Sequence, residues 1–419
     1  MIRNGSAVPA CLQIDGQPML RQLDELASIG AIENGGCCRL ALTDADRLGR
    51  DQVVAWMREL GLTITIDQIG NIFGVRAGRS DGPPVMTGSH IDTVRTGGRY
   101  DGNYGVLAGL AVMRALNAAG IATERPLSVA VFTNEEGARF APDMLGSLVH
   151  VQGLSLEEAL DTRAIDGARL GDELERIGYA GPTPVGALLP AAFVELHIEQ
   201  GPILDSERAT IGAVANLQGI SWQQLQITGQ SNHAGTTPMR LRHDAGYCAG
   251  AIATFVRTLT REMGGDQVGT VGRIELHPNL INVIAARAML TVDLRHTDEA
   301  LLRQAEARLA AFITRLAHDE GVRIESTPLA RFEPVQFDAG IVARIEAVAD
   351  RLGHAPRRMT SGAGHDAQML ARLCPAAMIF VPSIQGISHN PAERTDEADL
   401  IAGANVLLHT LLELANPEH

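Results

Sequence analysis

The sequence predicts an α/β protein that combines a discontinuous domain, with a central mixed sheet flanked by helices, and an inserted ferredoxin-like α+β domain. Two observations predict this class. The runs LSVAVFT (127–133) and IFVPS (379–383) are apolar on both faces, as strands covered by helices on both sides require. The middle of the chain instead has the element order strand, helix, strand, strand, helix, strand, which is typical of a small ferredoxin-like sheet.

The elements of the first part follow from the spacing of apolar residues. Val53 and Trp56 belong to a helical pattern that begins at a cap on Thr43, and the alternating segment LTITIDQI that follows predicts a strand. Residues 105–116 are apolar nearly all round, which predicts a buried helix. Strand and helix therefore alternate in the order that builds an α/β domain.

The inserted domain is predicted to cover residues 216–330, between parts 1–215 and 331–419 of the discontinuous domain. Its predicted elements are ISWQQLQITG, a helix over 243–262, VGTVGRIEL, AARAMLTVDLR, a helix over 298–320, and VRIES. Both flanking parts carry candidate metal ligands, described below, so we expect them to fold together.

Composition and charge limit the classes of function. The chain has 419 residues, of which 45% are hydrophobic, so a large core is expected. Its net charge of −14 disfavours nucleic acid or an anionic membrane surface as a partner. The 5 cysteines form no CxxC pair, and no apolar leader or run long enough to span a bilayer is found. These features predict a cytoplasmic protein.

Five residues of metal-ligating type lie in short polar motifs, each where a strand is expected to end. They are His90 in TGSHIDTV, Asp101 in GGRYDGNYG, Glu136 in FTNEEGARF, His197 in VELHIEQG and His389 in GISHNPAE. One histidine alone is weak support, because the chain has 13. The series of motifs predicts a hydrolase with two metal ions.

Two residues beside these candidates complete the predicted site. Asp92 can accept a hydrogen bond from the imidazole nitrogen of His90 that does not face the metal. Glu135 precedes Glu136 directly, and because neighbouring side chains diverge, one carboxylate can bind a metal while the other takes a proton from a water molecule.

These motifs resemble the N-carbamoyl-L-amino-acid hydrolase and allantoate amidohydrolase branch of the dinuclear aminoacylase and carboxypeptidase metallohydrolases. The resemblance covers essentially the whole chain, including SNHAGTTPM, LINVI and VDLR. It implies that Asp101 bridges two divalent ions, with His90 and His197 on one and Glu136 and His389 on the other. It also implies that Glu135 is the general base. Zinc, manganese, cobalt and nickel all suit such ligands.

The resemblance assigns roles to residues outside the metal cluster as well. His233 matches a histidine that stabilises the oxyanion, and Asn282 and Arg295 match residues that bind polar groups of the substrate. An arginine suits a carboxylate because its planar fork donates two parallel hydrogen bonds. Gln200 and the SGAGHD loop, with Gly364 and His365, are further pocket candidates.

The expected reaction is hydrolysis of the ureido C–N bond of an N-carbamoyl-L-amino acid. Allantoate or a β-ureido acid remains an alternative substrate, as do the acyl or dipeptide substrates of an aminoacylase or dipeptidase. A binding protein that holds metals without catalysis is a third class. The resemblance further implies a homodimer, formed through the inserted domain as a lid and dimerisation domain, in which His233 reaches the metals of the neighbouring chain.

Overall fold

The computed structural model describes residues 12–417, so Cys11 lies outside the described residues. Its helices are α1 (Gly16–Ser28), α2 (Asp44–Glu59), α3 (Asn103–Ala118), α4 (Leu145–His150), α5 (Leu156–Asp161), α6 (Leu170–Ile177), α7 (Ile203–Glu207), α8 (Ala245–Met263), α9 (Glu299–Glu320), α10 (Ala339–Arg351), α11 (Asp366–Leu370) and α12 (Glu397–Ala415). Its strands are β1 (Thr63–Ile66), β2 (Ile72–Arg76), β3 (Val85–His90), β4 (Leu127–Phe132), β5 (Ala192–Ile198), β6 (Gly212–Leu217), β7 (Gly219–Thr228), β8 (Val268–His277), β9 (Arg287–His296), β10 (Arg323–Phe332), β11 (Val335–Gln336), β12 (Arg357–Ser361) and β13 (Ala376–Val381).

The chain divides into two compact units. Unit 1 comprises Met1–Ala215 and Phe337–His419, and unit 2 comprises Asn216–Gln336. The second boundary lies a few residues beyond the predicted 330. The reason is that β10 continues to Phe332 and β11 then pairs with residues 216 and 217 at the end of β6.

Unit 1 is built on a mixed sheet with the strand order β1-β2-β4-β3-β5-β13-β6, and β12 also pairs with β6. The central strands β4, β3, β5 and β13 run parallel to one another. They are buried along their whole length, as the runs apolar on both faces predicted. Because the strands are parallel, their carboxyl ends lie at one edge of the sheet, where α/β proteins form their sites.

Helix formation in unit 1 follows local signals. The Thr43 hydroxyl accepts a hydrogen bond from the Asp46 amide at the start of α2, as the predicted cap requires. Most residues of α3 are buried, which agrees with its all-round apolar sequence. Helix α12 is long and apolar enough to cross a membrane by length and composition, but it packs against α3, α10 and β13 and is a core helix of this unit.

Unit 2 has the predicted βαββαβ order. Its four antiparallel strands are arranged β10-β7-β9-β8, and α8 and α9 cover one face. The core between the helices and this face includes Leu225, Ile252, Leu290, Val292 and Leu309. Because successive strand residues face opposite sides, the odd-numbered residues of β9 from Arg287 to Arg295 lie on the other face.

Candidate metal centre

The strand order of unit 1 brings together the five predicted ligands. His90 is the last residue of β3, Glu136 follows the end of β4, and His197 lies near the end of β5. Asp101 lies in the loop before α3 and His389 in the loop before α12. Parallel strands with adjacent carboxyl ends therefore bring His90, Glu136 and His197 together. The expectation that a strand ends at each motif is wrong for Asp101 and His389, which loops before helices supply.

The five side chains form two groups that could each hold a metal ion. One group is His90, Asp101 and His197, and the other is Asp101, Glu136 and His389. The two oxygens of Asp101 serve different groups. Oδ1 lies 3.2 Å from Nε2 of His197 and 3.6 Å from Nε2 of His90, whereas Oδ2 lies 3.2 Å from Nε2 of His389. Asp101 thus has the geometry of a bridge between two ions.

The histidine tautomers suit metal binding. Nδ1 of His90 lies 2.9 Å from the Asp92 carbonyl oxygen, and Nδ1 of His197 lies 2.8 Å from the carbonyl oxygen of Ile198. A carbonyl only accepts hydrogen bonds, so Nδ1 carries the proton in both rings. In the neutral rings Nε2 is then an acceptor, which Nε2 of His197 uses toward the Gly102 amide at 3.1 Å, and a divalent cation would be a ligand common to these Nε2 atoms and the Asp101 carboxylate.

The concentration of buried carboxylates also favours cations. Burial and the neighbouring Asp101 raise the pKa of Glu136 to about 8, and burial raises the pKa of Glu135 well above its usual range. Burial alone would lower the pKa of His90, but the carboxylates of Glu135 and Asp101 raise it well above the usual value. Groups this strongly perturbed are typical of functional sites, and positive ions would relieve the repulsion between the carboxylates.

Asp92 accepts the predicted hydrogen bond from His90, and it does so through its backbone. The backbone carbonyl of Asp92 makes that bond, and the nearer carboxylate oxygen is 3.9 Å from Nδ1. The carboxylate oxygens accept instead from the amides of Glu135 and Glu136, at 3.2 and 3.3 Å. Asp92 therefore fixes the segment that carries both glutamates.

Three residues at this edge of the sheet have left-handed backbone conformations. Asn134, Gln200 and His389 have φ values of 56°, 57° and 53°. Such values are uncommon for residues other than glycine and often occur at functional sites. The amide of Gln200, predicted to line the pocket, donates to Oδ2 of Asp101 at 2.8 Å and lies 3.3 Å from Nε2 of His389.

The loop that contains Gly364 and His365 lies beside the first metal group. The His365 ring is buried, with its centroid 4.6 Å from that of His197, and its Nε2 lies 3.0 Å from the Ser361 hydroxyl. Glu195 was not predicted, although it stands two residues before His197 on the same strand face and accepts a hydrogen bond from Ser89 at 2.6 Å. Strand alternation was the signal that could have found it.

The three predicted residues of unit 2 do not form one cluster within a chain. His233 bridges to Val283, and the Asn282 carbonyl accepts from the Ala234 amide, so His233 and Asn282 are neighbours. Arg295 instead pairs with Ile220, at the opposite end of the β7–β9 ladder. The separation arises because β7 and β9 are antiparallel: His233 follows the end of β7, whereas Arg295 lies near the end of β9, which is beside the start of β7.

Arg295 has two partners that sequence reasoning missed. The Asp293 carboxylate accepts from its Nε at 3.1 Å and its Nη2 at 2.9 Å. The Trp222 ring lies beside the guanidinium, 5.7 Å from ring centroid to Cζ. Asp293 stands two residues before Arg295 and so shares its face of β9, which was a readable signal. Trp222 is opposite Asp293 in the sheet, and only the register reveals it.

The fold and the site define a class: an α/β protein with three groups of side chains that could hold a divalent ion. Two of these groups share Asp101, and the third consists of Glu195, His197 and His365. More particularly, the chain matches Peptidase family M20/M25/M40 over residues 86–413 and belongs to that family. An N-carbamoyl-L-amino-acid amidohydrolase of Rhizobium meliloti is 41% identical over 404 residues, covering 96% of this chain and 97% of the relative.

Two further proteins are similar to the chain over nearly its whole length. An allantoate amidohydrolase of Escherichia coli (strain K12) is 37% identical over 406 residues, covering 95% of this chain and 98% of the relative. The crystal structure of an amidase of the hydantoinase/carbamoylase family from Burkholderia multivorans has a TM-score of 0.92 and 47% identity, covering 96% of this chain and 98% of that one.

Proposed function

We propose that the protein hydrolyses the ureido C–N bond of N-carbamoyl-L-amino acids and releases the amino acid, ammonia and carbon dioxide. One observation carries the proposal: two groups of metal-ligating side chains share Asp101, and Glu135 lies beside them. The similarity to an enzyme named N-carbamoyl-L-amino-acid amidohydrolase over nearly the whole chain supports the choice of substrate.

The residues present fit two divalent ions per chain. His90, Asp101 and His197 would hold one ion, and Asp101 with Glu136 and His389 the other. Such ions polarise a carbonyl oxygen and lower the pKa of a water molecule. The mixture of imidazole and carboxylate ligands suits zinc, manganese, cobalt or nickel.

Glu135 is the proposed general base. Its Oε2 lies 3.3 Å from Nε2 of His90, and the side chain is buried at the edge of the ligand cluster. It would accept a proton from the attacking water and return it to the amino-acid nitrogen as the bond from that nitrogen to the ureido carbon breaks. The carbamic acid that leaves then decomposes to ammonia and carbon dioxide.

Substrate recognition is assigned to unit 2. His233, with Asn282 as its neighbour, would donate a hydrogen bond to the oxyanion that develops on the ureido oxygen. Arg295 would bind the substrate carboxylate. Asp293 already accepts from Nε and Nη2 along one edge of the guanidinium, so it would fix the plane in which the arginine meets its ligand. Gln200 and Gly364 would line the pocket near the metals.

We propose a homodimer with a shared site, which the separation of the predicted residues within unit 2 supports. Residues 287 to 295 of β9 span about 26 Å of extended strand at 3.3 Å per residue. Asn282 precedes the first residue of this strand, and Arg295 lies near its other end. An N-carbamoyl amino acid has only a few bonds between its ureido carbonyl and its carboxylate. One chain therefore cannot apply both His233 and Arg295 to one substrate, whereas two chains can.

We also infer a cytoplasmic location. The described cysteines Cys37, Cys38, Cys248 and Cys374 are free thiols, as expected in a reducing compartment.

A substrate panel tests the function. Protein freed of metal by a chelator and reloaded with zinc or manganese is offered N-carbamoyl-L-amino acids, β-ureido acids, allantoate, N-acyl amino acids and dipeptides. We expect the highest kcat/KM for an N-carbamoyl-L-amino acid. A preference for allantoate, which the relative of that name makes the nearest competitor, would change the assigned substrate. Turnover of none of these substrates would leave a metal-holding binding protein.

A further inference from the structure

We infer that Glu393 is a positioning residue that assembles the Asp101–Glu136–His389 metal group, an inference that rests on the proposed two-metal function. Glu393 is not itself a member of either ligand group. Its carboxylate is buried, with 5% of the residue exposed, and it joins the two loops that supply Asp101 and His389.

The contacts of Glu393 divide between these loops. Oε1 accepts hydrogen bonds from the backbone amides of Tyr100 and Asp101, at 3.0 and 3.2 Å. Oε2 accepts from the Ser388 hydroxyl at 2.9 Å. Ser388 immediately precedes His389, so one carboxylate fixes the backbone of one ligand and the neighbour of another. Hydrogen bonds to a charged acceptor are about twice as strong as neutral ones.

A glycine makes room for this carboxylate. A Cβ added at Gly98 would lie 2.1 Å from Oε1 of Glu393, a distance at which no side chain fits. The φ of Gly98 is not in the left-handed region, so the glycine is required for the close approach of Glu393 and not for its backbone conformation. The Asp101 loop is thus built around the Glu393 carboxylate.

Glu393 should matter more to one metal group than to the other. His90 and His197 are held by strands β3 and β5, and only Asp101 of that group lies on a loop tied by Glu393. In the second group both Asp101 and His389 lie on tied loops. His389 also has a left-handed backbone and a side chain that is 50% exposed, so its position depends on the loop that carries it.

The test measures ion binding directly. Chelated protein is titrated with Zn²⁺ in competition with a chromophoric chelator, and the two dissociation constants per chain are determined. Loss of a residue that orients metal ligands typically costs 10–100-fold in affinity. We expect Glu393→Ala to raise one dissociation constant by about that factor and to change the other by less than about threefold. The retained ion shows that unit 1 is folded.

Two variants separate positioning from charge. The amide oxygen of Glu393→Gln can still accept from both backbone amides, so this variant should retain more affinity than Glu393→Ala. Equal losses of Zn²⁺ affinity in Glu393→Gln and Glu393→Ala would mean that Glu393 acts only through its negative charge, which would overturn the positioning role. Glu397→Ala is the matched control, because Glu397 is an exposed glutamate four residues further along, and both its dissociation constants should equal those of the unaltered protein.

The outcomes distinguish this inference from the function on which it rests. Two ions bound by Glu393→Ala with unchanged constants, or both constants raised equally, would overturn the positioning role and leave the proposed function standing. An unaltered protein that binds no Zn²⁺ would overturn the proposed function and this inference together.

Discussion

Replacing Gly102 with alanine should damage the metal centre more than it strains the backbone. Gly102 follows Asp101 directly and has a φ of 64°. A Cβ at this position would lie 2.4–2.6 Å from three atoms of the His90 ring. The substitution therefore combines a left-handed alanine with a clash against a proposed metal ligand.

The two effects can be estimated separately. A left-handed alanine costs about 1–2 kcal/mol, and the lower entropy of the unfolded alanine chain offsets about 0.4–1 kcal/mol. Overpacking of a buried site adds roughly 1–3 kcal/mol. We therefore expect Gly102→Ala to lower the free energy of unfolding of unit 1 by about 2–4 kcal/mol in total.

Gly120 provides the matched control. Its φ is 63°, and a Cβ there would meet nothing within 4 Å, so Gly120→Ala should cost only the backbone part, about 1 kcal/mol. Urea denaturation of chelated protein measures both variants, and Zn²⁺ titration measures ion binding. Equal destabilisation by the two substitutions, with the Zn²⁺ affinity of Gly102→Ala unchanged, would refute the reasoning.

Four further predictions test the base, the substrate arginine, the shared site and a buried histidine. Glu135→Gln should keep both metal ions, measured by elemental analysis, and lose about 10²–10⁴-fold in kcat; turnover near that of the unaltered enzyme would give Glu135 another role. Arg295→Lys should lose roughly 1–3 kcal/mol in kcat/KM, since a point charge cannot replace a planar fork, and unchanged kinetics on a carboxylate substrate would remove Arg295 from the site. Mixed dimers of Glu135→Gln and His233→Ala chains should recover activity toward half of the unaltered level, because one of their two sites has neither defect; if such dimers form and remain inactive, His233 acts within its own chain. Burial against Phe73 and Phe132 lowers the pKa of His150 from 6.5 to about 4. The unfolded chain therefore takes up a proton at a higher pH than the folded protein. The free energy of unfolding falls by about 3 kcal/mol for this reason as the pH falls from 6.5 to 4. The free energy of unfolding of His150→Phe, measured by denaturation across that pH range, should fall less steeply with acid than that of the unaltered protein. An identical pH dependence in the two would contradict this.

The convergence of three candidate metal ligands, His90, Glu136 and His197, could be predicted because their motifs follow strands, and the carboxyl ends of parallel strands converge. The proximity of His90 and His197 could be inferred without any distance, from the two strands at whose ends they lie. The second role of Asp92 could not be predicted in the same way, because its carboxylate accepts from the amides of Glu135 and Glu136, more than 40 residues further along the chain. Local sequence does not specify such a contact.

Unit 2 shows a different limit. The elements were predicted closely, but the sequence did not indicate that His233 and Arg295 lie at opposite ends of the β7–β9 ladder. Separation along a sheet depends on which strand residues are paired, and register is a tertiary property. Glu393 was missed for a related reason: its partners Tyr100 and Asp101 are nearly 300 positions away in the chain.

The discontinuity of unit 1 orders the assembly of the metal centre during synthesis. His90, Asp101, Glu136 and His197 are all translated before unit 2, whereas His389 and Glu393 follow it, close to the end of the 419 residues. Domains generally begin to fold from the amino terminus as the chain emerges. A nascent chain can therefore offer the His90–Asp101–His197 group to one ion, but it lacks the complete second group until the residues that follow unit 2 have been translated. A product terminated within unit 2 would carry only the first of these candidate groups.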